Sequence, residues 1–497
     1  MGMPRARSGI FAAVEKQRAN GGPSRWQRRA QVRLTGALAW LGTKARNTRL
    51  KELTLLTLPY QVAAVLTALI AVGYARLFEW MEGVQHWILG QHPDWIYVSV
   101  PVSFLTSWFI VRKLAPLAGG SGIPQLMAAI DVADDKADTD RSWKFLNVRI
   151  IGVKIVSSLA MVVGGGAVGR EGPTLQIAGS VYRVVHKLLP SFWPRVSRRV
   201  MMVTGGAAGL SAAFNTPLGG IVFAVEELTR THLANFRTAV FTSVIIAGMT
   251  AQQLMGTYLG VGEGLLYPKV DRVGAAFMYQ VLVIGLVCGA AGALFCKLVL
   301  LLDRIRRTLK SLPVQALWCL LCAAAFIACY KSLGPHVLGS GRTILQSYLF
   351  DAQVDPSWRD IAARLLAPIT SFSAGGAGGI FGPSLSSGAV IGGWVGQLFN
   401  PTPGELRLLM LTGMVAFLTG VSRSPFTSAI LVLEMTDRHS VIFQLMYAAM
   451  IGNLIATIID RKPYYERMKE RMLKAIGMGV TPREPSSEGG SAGLGLG

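Results

Sequence analysis

Two stretches of this chain carry the same glycine-rich text: Gly165–Leu175 reads GGAVGREGPTL, and Gly375–Leu385 reads GGAGGIFGPSL. The copies lie 210 residues apart and agree at both opening glycines, the alanine, the Gly-x-x-Gly-Pro core and the closing leucine. A second pair follows in step: Pro217 precedes Glu226 by nine residues, and Pro425 precedes Glu434 by nine. Two features repeated in the same order indicate two homologous halves. In an apolar chain, halves whose helices are broken by glycine point to a transport site near the middle of a membrane.

Composition sets the medium. The 497 residues are 51% hydrophobic and only 15% charged, with a mean hydropathy of +0.43. Soluble domains carry about 25% charged residues. Stretches long enough to cross about 30 Å of hydrocarbon recur, among them Leu55–Tyr74, Phe277–Leu302, Val314–Tyr330 and Val441–Ile459. The expectation is an all-α integral membrane protein with one transport domain over 52–475, in halves of about 52–258 and 275–470. A basic segment, 1–51, precedes it and a flexible tail, 476–497, follows.

The net charge of +22 invites a nucleic-acid reading, but its distribution argues otherwise. Twelve Lys or Arg fall within residues 1–51 against one acid, Glu15. Others cluster at Arg195, Arg198 and Arg199, at Arg304, Arg306 and Arg307, and from Arg461 to Lys474. Flanks of spans are where the positive-inside rule puts such charge, so both termini are expected in the cytoplasm. The basic N-terminal segment reads either as a contact to anionic lipid headgroups of the bilayer or as a solvated, topology-fixing tail. No signal peptide is expected, because the first long apolar run starts beyond residue 50. Cys288, Cys296, Cys319, Cys322 and Cys329 sit in apolar text and read as packing residues, and the six histidines are scattered. No metal and no cofactor are expected. The acidic stretch 131–142 reads as a solvated connector.

Glycines also gather before prolines at Gly119–Pro124, at 164–173 and at 375–383. Proline favours the first turn of a helix and pushes the residue before it toward extended backbone. Each cluster therefore predicts an extended segment followed by a helix start. Non-helical backbone at membrane depth is tolerated only where it lines a cavity or is buried in protein. A helix start offers unpaired N–H groups and a partial positive charge, which together bind anions. Three such starts meeting at one point would hold an anion with no full positive charge beside it, so the anion could leave again. The Ser121 hydroxyl and the backbone amides of Ile380 and Phe381 add donors. Such a dehydrated, donor-rich site suits a halide better than a multivalent phosphate. Glu171 is decisive, because a carboxylate at a helix start is itself an anion. Ionised, it can occupy and block the site; protonated, it no longer competes. Ionisable groups within a membrane are costly and usually functional, although a carboxylate here could also merely satisfy its own helix's amides.

Taken together these motifs resemble the CLC family of chloride channels and chloride/proton antiporters, from about residue 50 to 475. The family's signatures stand here as Gly120-Ser121-Gly122-Ile123-Pro124, Gly169-Arg170-Glu171-Gly172-Pro173, Gly379-Ile380-Phe381-Gly382-Pro383 and Lys462-Pro463-Tyr464-Tyr465. The resemblance implies inverted-topology halves of tilted, partly broken helices and a homodimer with one pathway per protomer. It implies that Ser121 and the Tyr465 hydroxyl coordinate chloride with the Ile380 and Phe381 amides. Glu171 then gates externally, with Arg170 and Gly172 forming its backbone surroundings. It also implies that Glu227 accepts protons from the inside and that Lys154 plays a structural or electrostatic part. Gln125 and Met127 stand where other members carry acids, which removes accessory carboxylates from the proton path. The chain lacks the long C-terminal regulatory domains of eukaryotic relatives, which fits a prokaryotic inner-membrane member.

The expected function is exchange of chloride for protons. A passive chloride channel of the same fold is the alternative, and the pair Glu171 and Glu227 argues against it. An enzyme that binds phosphate at these turns lacks a Gly-x-x-x-x-Gly-Lys-Ser/Thr motif, so no enzymatic activity is expected.

Overall fold

The protein is described from a computed structural model, which covers residues 48–133, 140–190, 192–229, 238–256, 258, 275–351, 355–436 and 439–477. Most of the basic N-terminal segment and the Gly/Ser-rich tail lie outside the described residues. Among the described residues all extended pairing consists of two isolated bridges, and everything else regular is helical.

The first half runs α1 (Thr48–Gln91), α2 (Ile96–Leu114), α3 (Ile123–Asp131), α4 (Val148–Val163), α5 (Glu171–Leu188), α6 (Arg198–Phe214), α7 (Pro217–Phe223) and α8 (Thr238–Met255). A π turn, Ala224–Thr229, continues α7. The second half runs α9 (Ala275–Thr308), α10 (Leu312–Leu333), α11 (Arg342–Phe350), α12 (Trp358–Ser373), α13 (Phe381–Gln397), α14 (Pro403–Ser422), α15 (Pro425–Thr436), α16 (Ile442–Ile459) and α17 (Tyr464–Ala475). Among the described residues seven helical segments are long and apolar enough to cross a membrane, including the cores of α1, α9 and α14. α1 runs past the apolar stretch the sequence marked, on to Gln91, because nothing after Pro59 interrupts it. Large apolar side chains such as Leu321 and Phe443 face outward, as a lipid-exposed surface requires. The chain is an integral membrane protein.

Each glycine cluster ends where a helix begins. α3 starts after Gly122, α5 after Arg170 and α13 after Ile380. Gly122 has φ 107°, a left-handed backbone open to glycine without strain. Elsewhere glycines permit close helix packing: a Cβ on Gly388 of α13 would sit 2.4 Å from the Gly413 carbonyl oxygen of α14.

Three reciprocal contacts reveal how the halves are related. Gly169 and Gly379, equivalent in the repeat, pair antiparallel, each amide donating to the other's carbonyl at 2.7 and 2.6 Å. The equivalent alanines behave alike. The Ala167 amide donates to Ser371 Oγ on α12 at 2.9 Å, and the Ala377 amide donates to Ser157 Oγ on α4 at 3.1 Å. Finally, Glu226 accepts from the Phe426 and Thr427 amides at the start of α15, while Glu434 accepts from the Leu218 and Gly219 amides at the start of α7. Equivalent groups that exchange contacts in this reciprocal way lie about a local two-fold axis.

Cys288, Cys296, Cys319 and Cys322 are buried as free thiols among apolar neighbours, and Cys329 is half-buried. Among the described residues no group of three or more His, Cys, Asp or Glu is arranged to hold a metal.

Candidate anion and proton site

The loop that carries Ser121 is fixed from three sides. Lys154, fully buried on α4, donates from Nζ to the Ala118 and Gly120 carbonyls at 2.8 and 2.7 Å. Gln125 Nε2 donates to the Gly119 carbonyl at 2.5 Å, and Gln176 Nε2 donates to the Leu117 carbonyl at 3.1 Å. The second repeat holds the loop's backbone, because the Gly120 amide donates to Gly376 O and the Gly378 amide to Gly120 O. A buried lysine is costly unless its donors are used; here two carbonyls use them, so its amino group serves the loop. Gln125, the departure noted in the sequence, does loop-holding work that needs an amide donor.

The three helix starts do meet. A Cβ on Gly122 would lie 2.6 Å from Gly172 O, and one on Gly172 would lie 2.5 Å from Ser121 Oγ and 3.2 Å from Gly379 Cα. Glycine at 122 and 172 is therefore what lets α3, α5 and the extended segment before α13 converge. Ser121 is 4% exposed and Tyr465 0%. Ser121 Oγ and Tyr465 Oη have no hydrogen-bond partner among the described residues. Buried hydroxyls are normally paired, so two orphaned ones near a junction of helix starts suit an anion. The Tyr465 ring lies stacked on Phe381, with centroids 6.4 Å apart and planes 11° apart. This sets Tyr465 beside the first residue of α13.

Glu171 is 1% exposed. Its carboxylate turns away from its own helix start and reaches across the two-fold to the start of α13, where the Gly382 amide donates to Oε2 at 3.2 Å. Oε1 accepts from the Tyr258 hydroxyl at 2.6 Å. A Cβ on Gly169 would meet Oε2 at 2.2 Å, so glycine there makes room for the carboxylate. The carboxylate thus uses an unpaired first-turn amide of the other half, one residue beyond the Ile380 and Phe381 amides singled out from the sequence. Gly120, Gly122 and Pro124 shape the start of α3, and Gly172 that of α5, as backbone rather than as ligating side chains.

The Arg170 side chain points elsewhere. It donates to the Ala75 carbonyl at 3.1 Å and to Glu79 Oε1 at 2.9 Å, and Arg342 pairs with the same Glu79. Glu227 lies in the π turn after α7, 3% exposed, and accepts from Ser424 Oγ at 2.8 Å. A π turn carries one extra residue per turn and recurs at functional sites. Here it places Glu226 on the start of α15 and Glu227 on the link before it.

A cavity of about 510 Å³ reaches Gly119, Gly120 and Gly375, and Arg112, Arg306, Arg307 and Lys310 line its walls. Asp303 pairs with Arg306 and Arg307 at 2.8 Å and with Arg471 at 3.2 Å. Four cations against one acid, Asp303, leave this mouth positive, which raises the local anion concentration.

Sequence reasoning did not single out Tyr258, Glu79, Arg342, Gln176 or Ser424. Tyr258 carried no signal, being a lone tyrosine beyond α8.

Residues 103–457 match the protein family described as "Voltage gated chloride channel". The chain is 30% identical to the "H(+)/Cl(-) exchange transporter ClcA" of Citrobacter koseri over 429 residues, which is 83% of this chain and 87% of that protein. The fold resembles that of a slow cyanobacterial Cl-/H+ antiporter, with TM-score 0.70, 22% identity and coverage of 84% of this chain and 98% of the other. It also resembles a CLC-type fluoride/proton antiporter, with TM-score 0.66, 18% identity and coverage of 83% and 98%. The seating of one half's carboxylate on the other half's helix start thus occurs in a chain that belongs to the voltage gated chloride channel family.

Proposed function

We propose that this protein exchanges chloride for protons across a bilayer, using Glu171 for both ions. The observation that carries the reading is the Glu171 carboxylate seated on the Gly382 amide at the start of α13. An anion site occupied by a group that can be neutralised with a proton couples the two ions directly. While ionised, the carboxylate competes with chloride; once protonated, it loses its attraction to the helix start and the site opens. Chloride is then held by the Ser121 and Tyr465 hydroxyls and the Ile380 and Phe381 amides, with the backbone of Arg170 and Gly172 shaping its outer side. Lys154, Gly120, Gly122 and Pro124 keep that geometry. Glu227 takes protons from the cytoplasm and passes them toward Glu171.

Support comes from the family, from relatives named H(+)/Cl(-) exchange transporters at 30% identity, and from the presence of both buried carboxylates. The protein works in a bacterial inner membrane with both termini cytoplasmic, as a homodimer embedded in lipid. Its transport domain spans 52–475, between the basic segment 1–51 and the tail 476–497. It performs no chemical conversion and needs no cofactor.

Reconstituted variants test this. Glu171→Ala is expected to carry chloride without protons and without pH dependence, and Glu227→Gln to lose proton movement while chloride still moves. Coupling that survives in Glu171→Ala contradicts the reading. Chloride flux without proton movement in the wild type would instead support a channel.

A further inference from the structure

We infer that Tyr258 is a positioning residue for transport, a phenol that holds the ionised Glu171 on its seat and so sets how acid the outside must be before the site opens. This rests on the role of Glu171 proposed above.

The Tyr258 hydroxyl donates to Glu171 Oε1 at 2.6 Å, and the Gly382 amide to Oε2 at 3.2 Å. These donors take one carboxylate oxygen each. Gly382 belongs to the helix start of the other half. Tyr258 comes from beyond α8, outside the glycine repeats. Tyr258 is 4% exposed and is held firmly. Its ring packs on Phe214 with centroids 4.8 Å apart, and Phe214 in turn packs on Phe381. The guanidinium carbons of Arg170 and Arg342 lie 5.7 and 5.8 Å from the ring centroid, within cation–π range. Glu79 pairs with both arginines. It engages both guanidiniums and leaves the neutral phenol to contact Glu171.

The choice of group fits the task. An arginine on Glu171 would hold the carboxylate as a full ion pair, at every pH where it is ionised. A phenol donates one hydrogen bond. That bond favours the ionised carboxylate, and it weakens when Glu171 takes up a proton. The other charged or titratable groups around the pair are Arg170 at the start of α5, Arg342 at the start of α11, Glu79 and Tyr74 on α1, and Tyr465 on α17. Among the described residues none of these groups hydrogen-bonds to the Glu171 carboxylate, whose partners are Tyr258 and Gly382.

Tyr258→Phe keeps the ring and removes the donor. Losing a hydrogen bond to a charged group makes protonation easier, so transport begins at higher pH. The pH profile of chloride/proton exchange is expected to move toward alkaline pH, with roughly tenfold faster exchange on its alkaline side. The proton-to-chloride ratio stays unchanged. Placed in Glu171→Ala, which carries chloride alone, Tyr258→Phe is expected to leave the flux unchanged, because the partner of the hydroxyl is gone. A residue that only fills space would move the flux in both backgrounds and leave the pH profile in place. That outcome, or an unshifted profile in folded Tyr258→Phe, overturns the inference. Should the Phe variant not assemble, Tyr258→Leu in the two backgrounds makes the same comparison. Loss of coupling in Glu171→Ala with no effect of Tyr258→Phe would leave the proposed function standing and remove only Tyr258. Intact coupling in Glu171→Ala would remove both.

Discussion

Gly169 shows how much one hydrogen atom in place of a side chain can decide. A methyl there would sit 2.2 Å from Glu171 Oε2, inside contact distance. Gly169→Ala is therefore expected to push the carboxylate off its seat. Chloride flux should rise and depend less on pH, as a weaker form of Glu171→Ala, and flux measured across a pH series checks this. Lys154 is the second residue with a sharp expectation. Its Nζ donates to both the Ala118 and Gly120 carbonyls, and a hydrogen bond contributes about 0.5–1.5 kcal/mol net. Lys154→Met keeps the apolar stem and frees the Ser121 loop, so chloride affinity measured by titration calorimetry is expected to fall roughly tenfold or more. The residues legible in sequence were those whose position follows from local backbone rules. Ser121, Glu171, Gly172, Ile380 and Phe381 stand at helix starts that proline and glycine announce on their own. Tyr258, Glu79 and Gln176 were not legible, because each meets its partner only through tertiary folding, and Tyr258 reaches Glu171 from 87 residues away.

At the scale of elements, the short helices α7 and α15 depend on each other. Each takes an N-terminal acceptor from the acid at the end of the other. Loss of an N-terminal cap costs about 0.5–2 kcal/mol. Glu226→Ala and Glu434→Ala are each expected to lower the thermal unfolding midpoint in detergent by a similar amount. Coupling should persist in Glu434→Ala, which lies apart from Ser424 and Glu227. Unequal effects would mean that the two halves are not held by equivalent contacts. The sequence showed the repeat of Pro and Glu nine apart. It could not show that the caps cross between halves, since spacing along a chain carries no information on which half folds against which.

For the whole molecule, the two-fold relation explains why one polar point exists inside an apolar body. Extended segments from both halves pair at Gly169 with Gly379 and at Gly120 with Ala377, so the unsatisfied helix starts of both halves face a common centre rather than lipid. The positive mouth beside Gly120 then feeds that centre. Neutralising Arg306 and Arg307 together as glutamines is expected to slow chloride flux at low ionic strength. The deficit should fade as salt rises, because mobile ions screen the field over about 10 Å at 0.1 M. The membrane character and the two-half plan were legible from hydropathy and the repeat, whereas the crossing of Glu171 onto the opposite half's helix was not, because it needs the halves assembled. The most direct test of shared use of Glu171 is proton movement in liposomes holding the purified protein, driven only by a chloride gradient with voltage clamped at zero by valinomycin and potassium. Protons should move uphill in the wild type and stop moving in Glu171→Ala while chloride continues. Chloride flux with no uphill protons in the wild type would contradict it.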